Sequence, residues 1–227
     1  MNHRTLLHTS LPVDDPQALW HALQGQVDPK ELVRIDFTRR SVHAHVLSWF
    51  MTAFSDEDAR LLYDCCLRLI ELKAPMTDAY GDGAAAQFCG YPWPTVREQV
   101  EQVADLADAY RAAGCWDLEQ TLEGEVLTRT TRIALDGDNY EGLKPLAAAI
   151  FGSNPELARF LCDRGASLEL GVTFAGEPPM HSIDLALAEH EREVHAILVE
   201  TAMKRRLAAE PSVNSSAARR LNRRTAL

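Results

Sequence analysis

Three times in this 227-residue chain an Asp or Asn stands directly before a proline, at Asp15-Pro16, Asp28-Pro29 and Asn154-Pro155. Proline has no amide hydrogen and a fixed φ, so within a helix it fits only the first turn, where the amide has no partner anyway. The short polar side chain before it accepts hydrogen bonds from the amides that follow. Each pair therefore predicts a helix start. Ser55 with Asp58 and Thr95 with Glu98 have the spacing of a capping box and predict two more. Beyond Thr95, the residues Val96, Val100, Val103, Ala107 and Tyr110 recur at steps of four and three, which places an apolar stripe on one helical face. Strand signals are few. Val42 to Val46 alternates briefly, but no longer run of β-branched residues lies between turn dipeptides. The chain is expected to be all-α. Its helical pairs would be joined by loops, two of them long and rich in Gly and Pro: Pro75 to Pro94, and Leu170 to Pro179.

At 46% hydrophobic residues the chain can bury one core, and its length argues against several. The five cysteines, Cys65, Cys66, Cys89, Cys115 and Cys162, are odd in number and include no C-x-x-C, so they imply neither a disulfide framework nor a zinc ribbon. The amino terminus has no apolar leader region, and no stretch of about 18 apolar residues occurs. A cytosolic location is expected. Charge is unevenly placed: residues 204–227 hold seven Lys/Arg against Glu210 alone, a net of +6, so the remaining 203 residues carry −16 of the total −10. An acidic body repels nucleic acid and anionic membrane, so neither is expected as its partner.

The segment from Gly142 to Glu169, GLKPLAAAIFGSNPELARFLCDRGASLE, resembles an ankyrin repeat. Gly142, Pro145, Leu146, Ala149, Glu156, Leu157, Phe160, Leu161, Gly165 and Ala166 fall in register with that pattern. Pro145 would open a short first helix, Leu157, Phe160 and Leu161 would line a second, and Gly165 would supply the left-handed residue that ends it. Lys144 and Ala147 stand where the family has a Thr and a His that brace the turn. A second copy runs from Ser182 to Val199, with Asp184, Ala186, Glu193, Val194, Ile197 and Leu198 on the same pattern. The step from Pro145 to Ser182 is 37 residues, about four more than the usual 33. The excess falls in the loop Leu170 to His181, which is expected to form an enlarged finger. Upstream, LIELKAPMT (69–77) and AYRAAGCWD (109–117) look like repeat ends, with Ala74 and Cys115 at the alanine of Gly-Ala. The resemblance implies an ankyrin-like solenoid of stacked helical hairpins over residues 1–203, followed by a basic, flexible tail at 204–227. A lone repeat cannot bury its own apolar face, so the pairs must stack.

That family is a binding scaffold with no chemistry of its own. The resemblance therefore implies an adaptor, or an inhibitor that occludes one dedicated protein partner, and the acidic body favours a basic partner surface. Candidate contacts are Tyr80, Phe88, Tyr91 and Trp93 on the first long loop, Phe174, Met180 and His181 on the finger, and Tyr140 just before the repeat. The loop aromatics have a competing reading, in which they fold back to cap the core. Other constellations are weak. His190 and His195 lie five apart and so face different sides of a helix, and His43-x-His45 has no further ligand. Asp136, Asp138 and Glu141 resemble the opening of a calcium loop, but the glycine comes one place late, at Gly142. No phosphate loop or nucleophile elbow is present, so no cofactor, metal or catalytic residue is expected. A hydrolase with a scattered site is one alternative. Another is a translocated effector directed to a host nucleus by Arg205, Arg206, Arg219, Arg220, Arg223 and Arg224, which have the layout of a two-part import signal.

Overall fold

The computed structural model describes residues 11–32, 41–53, 56–76, 83–122, 140–141, 143–174 and 180–209. Over these the chain is all-α, with a small sheet. The elements in order are α1 (Pro16–Gln24), α2 (Pro29–Leu32), α3 (Val42–Phe50), α4 (Asp56–Glu71), α5 (Gly83–Gly90), α6 (Arg97–Ala112), β1 (Tyr140–Glu141), α7 (Pro145–Phe151), α8 (Pro155–Asp163), β2 (Glu169–Phe174), β3 (Met180–His181), α9 (Ser182–Ala188) and α10 (Arg192–Ala209). None of these helices is long and apolar enough to cross a membrane.

The proline signals act as expected. The Asp15 carboxylate accepts from the Ala18 amide at 3.0 Å, and the Asn154 side chain accepts from Leu157 at 3.2 Å, each with proline next in the helix. Asp28 accepts from the Lys30 amide at 2.9 Å. The Thr95–Glu98 box does not form: α6 begins one residue later, with Val96 as its uncapped N-terminal flank. Ser55 of the other box lies outside the described residues. Val42 to Val46 is helical, because Ser41 caps the Ala44 amide and the buried Val42, Val46, Leu47 and Phe50 recur at helical spacing. Part of the first long loop is a helix as well. The run GAAAQFCG forms α5, in which every residue is buried.

The helices form two rows. In one, α3 lies beside α5, α5 beside α7, and α7 beside α9; in the other, α4 packs on α6 and α8 on α10. Across the rows α3 packs on α4, α7 on α8 and α9 on α10, while α1 covers α4. The last two pairs repeat at a constant offset of 37 residues. The pairs α7/α9 and α8/α10 begin at Pro145/Ser182 and Pro155/Arg192. The turns inside the pairs are closed by Asn154 N–H to Ala149 C=O and Glu191 N–H to Ala186 C=O, both 2.9 Å, with Ser153 and His190 at positive φ.

The same turn chemistry ends α4, α6 and α8. The amides of Ala74, Cys115 and Ala166 each donate to the carbonyl five residues back, at Leu69, Tyr110 and Leu161, and the residue before each, Lys73, Gly114 and Gly165, has positive φ. This is the Schellman arrangement, which satisfies carbonyls at a helix end. The second long loop becomes an antiparallel hairpin, with β2 between β1 and β3. Charge joins the start of α7 to the segments before it and after α8. Lys144 Nζ pairs with Glu119 Oε2 at 2.7 Å, and Glu119 Oε1 accepts from the Ser167 amide at 2.6 Å. The helix α10 runs to Ala209, so residues 204–209 belong to it and not to a flexible tail.

At Gly165 an added Cβ meets nothing within 4 Å, so the demand for glycine comes from its φ of +90° alone. Gly165→Ala is expected to lower the unfolding free energy by about 1 to 2 kcal/mol, the cost of a side chain in the left-handed region, as read by urea denaturation.

Candidate functional site

Phe88 and Trp93, expected on an exposed loop, are core residues, at 0% and 5% exposure. Phe88 comes from the wholly buried α5 and meets Tyr110 edge-on at 5.6 Å, Trp116 at 5.3 Å and Trp93 at 6.5 Å. Trp93 lies 5.1 Å from Phe160, and Trp116 stacks on the same ring at 6.2 Å. Both indoles satisfy their N–H within the fold, Trp93 on the Phe88 carbonyl and Trp116 on that of Ala107, each at 2.9 Å. The Arg164 guanidinium lies over the Phe160 ring at 4.4 Å and pairs with Asp108 at 2.6 Å, which ties α8 to α6. The aromatics thus seal a junction between helix pairs, and as partner contacts Phe88 and Trp93 are corrected.

Tyr91 is half-buried. Its hydroxyl meets Ser48 Oγ at 2.8 Å, and its carbonyl accepts from Asn154 Nδ2 at 3.3 Å. Tyr80 lies outside the described residues. On the finger, Met180 packs against the core. His181 caps α9: its Nδ1 accepts from the Ile183 amide at 3.2 Å, leaving Nε2 3.7 Å from the Glu169 carboxylate. Tyr140 and Phe174, 34 positions apart in the chain, are register partners across β1 and β2. Of the predicted contacts, these two are brought together by the fold.

The most buried polar chain joins α3, α4 and α6. His43 Nδ1 is 3.0 Å from the Ala74 carbonyl, which can only accept, so this nitrogen carries the proton. Nε2 then accepts from the Tyr110 hydroxyl at 2.7 Å, and the Cys66 thiol shares a further hydrogen bond with that hydroxyl. Burial holds the His43 pKa down to about 4, partly offset by the Ala74 bond, and the same burial pushes Tyr110 and Cys66 up. Cys65 is raised to about 12 by burial, with Asp64 adding to it, and burial also raises Cys115 and Cys162. A nucleophilic thiol needs the opposite shift. The chain of polar groups satisfies buried donors and acceptors, and no solvent reaches it.

Among the described residues no three His, Cys, Asp or Glu side chains converge as a metal ion requires. His190 is exposed at the turn before α10 and His195 is half-buried on that helix, while Glu191 accepts from Ser153 Oγ at 2.6 Å. Asp136 and Asp138 lie outside the described residues, and Glu141 belongs to β1. Arg205, expected in an import signal, donates instead to the carbonyls of Cys162 and Ala166 at 3.0 and 2.8 Å. Arg206 also belongs to α10, and Arg219, Arg220, Arg223 and Arg224 lie outside the described residues.

One surface was missed from sequence. Leu187, Met203 and Leu207 stand exposed on the last helix pair. Ala196, Val199, Met203 and Leu207 recur at helical spacing in the sequence, with basic residues between them. No protein-family model, curated protein or solved structure matches this chain.

Because folded His43 resists protonation, the unfolded chain binds its proton first. The His43 contribution is therefore full above pH 6.5 and is lost as pH falls from 6.5 towards about 4. The expected loss is about 3 kcal/mol, measured by denaturant unfolding across that range. His43→Gln should remove most of this slope.

Proposed function

We propose that this chain is a protein–protein interaction module, an adaptor or stoichiometric inhibitor built as an ankyrin-like solenoid, and that it acts by occupancy and not by turnover. The constant 37-residue offset between the last two helix pairs, the matching turns after α4, α6 and α8, and the hairpin between successive pairs all support that architecture. Helices packed in two rows make a stiff platform, so little order is lost when a partner binds.

The observation that carries the reading is the pairing of Tyr140 with Phe174 on the three-stranded finger. Two aromatic positions far apart in the chain become adjacent on a hairpin outside the helical rows, and aromatics are the usual anchors of protein interfaces. The helices α5 and α7 are buried at every position and offer no exposed face of their own, which favours the finger as a place for a partner. The −16 charge of residues 1–203 favours a partner with a basic surface, and association would be slowed by salt.

Affinity purification of the tagged chain from its own cell extract should recover one stoichiometric partner, and recovery of none would remove the reading. Tyr140→Ala with Phe174→Ala should weaken capture by about 2 kcal/mol or more. Trp93→Ala should instead destabilise the fold by about 3 to 5 kcal/mol, as truncation of a buried aromatic does.

A further inference from the structure

Helix α10 has two apolar faces. Val194, Ile197 and Leu198 are buried where it packs on α8, and Arg205 on the same side reaches the carbonyls of Cys162 and Ala166. At about 100° per residue, Ala196, Val199, Met203 and Leu207 fall on the diametrically opposite side. Met203 is 60% exposed and Leu207 68%, and on the adjoining α9 Leu187 is 62% exposed. The preceding pair shows what such positions do when a neighbour is present. Ile150 and Cys162, which stand 37 residues before Leu187 and Val199, are 0% and 5% exposed. The apolar pattern continues to the last pair, where the described rows end.

The charges beside this stripe select its occupant. Glu200 and Lys204 lie one turn apart on the same flank, 2.7 Å from each other within the helix. A second α10 laid parallel would put this flank against the opposite flank of the second copy, away from its Glu200 and Lys204. Laid antiparallel about a twofold axis near residue 202, it sets Glu200 against Lys204 of the second copy, and the reverse, giving two identical ion pairs. In that register Val199 of the second copy enters between Met203 and Leu207, so that the two rows interdigitate as ridges do in grooves. One self-complementary patch then closes the assembly at two copies.

We propose that the outward face of α9 and α10 binds a second copy of this chain, antiparallel through Val199, Met203 and Leu207. A helix pair with Leu187 at its edge is a small interface, so the dimer exchanges with monomer. The two fingers would be carried on one particle, making the module bivalent and raising its avidity for a repeated partner. The inference does not depend on what the finger binds.

Sedimentation velocity of the full chain over a concentration series should show a species of twice the 25.3 kDa chain mass growing with concentration. Met203→Glu and Leu207→Glu should each raise the dissociation constant about tenfold or more, since each buries a charge in the stripe. Their melting temperatures as monomers should stay unchanged, because both positions face solvent. Glu200→Lys alone should weaken the dimer several-fold, and Glu200→Lys with Lys204→Glu should restore it. Tyr140→Ala with Phe174→Ala should leave the mass as it was, which separates this proposal from the one about the finger. A mass of one chain at every concentration, a dimer indifferent to Met203→Glu, or no rescue by the double reversal would overturn the proposal.

Discussion

Helices α5 and α7 are buried along their whole length, each between two neighbours in its own row. A helix in that position has no solvent face, so the rows can close only if its side chains are small where backbones approach. The sequences GAAAQFCG and PLAAAIF meet this demand with Ala84 to Ala86 and Ala147 to Ala149, leaving Phe88, Ile150 and Phe151 to fill the larger gaps. Dense packing of this kind makes the interior intolerant of added volume. It also leaves α5 and α7 without an exposed face of their own.

Burial on this scale requires every polar group inside to find a partner. The fold meets most of it: His43 bridges Ala74 and Tyr110, and the two buried indoles donate to nearby backbone carbonyls, while the buried Ser182 hydroxyl is an exception. Such bonds add little net stability when made, but a buried group left unpaired is costly. They therefore discriminate against misregistered stacking. Glu119 does similar work at the surface, joining Lys144 at the start of α7 to Ser167 beyond the end of α8.

Local signals were legible in the residues where the physics is local. Asp15, Asn154 and Gly165 act through bonds or dihedrals within a few positions, and each behaves as its neighbours predict. The helix ends before Ala74 and Cys115 are legible because the turn that places these residues spans only six residues. The readings that failed concern competition between neighbours. Thr95 has a capping pattern but the chain starts α6 a residue later, and the glycines around α5 suggested a loop because a helix of small residues has no amphipathic stripe to betray it. The aromatics nearby looked like surface anchors for the same reason: nothing in the string YPWP says which side of a helix row it will face.

Sequence alone determined that the chain is helical, where three of its helices begin, and that its last two helix pairs repeat at an interval of 37 residues, since caps, prolines and periodicity act over a turn or two. Tertiary structure decided which apolar residues are spent on the core and which remain outside. Phe88 and Trp93 went inward while Leu187, Met203 and Leu207 stayed exposed. Burial is a property of neighbours brought from distant positions, and a residue's hydrophobicity records only that it would gain from a neighbour, not that it has one.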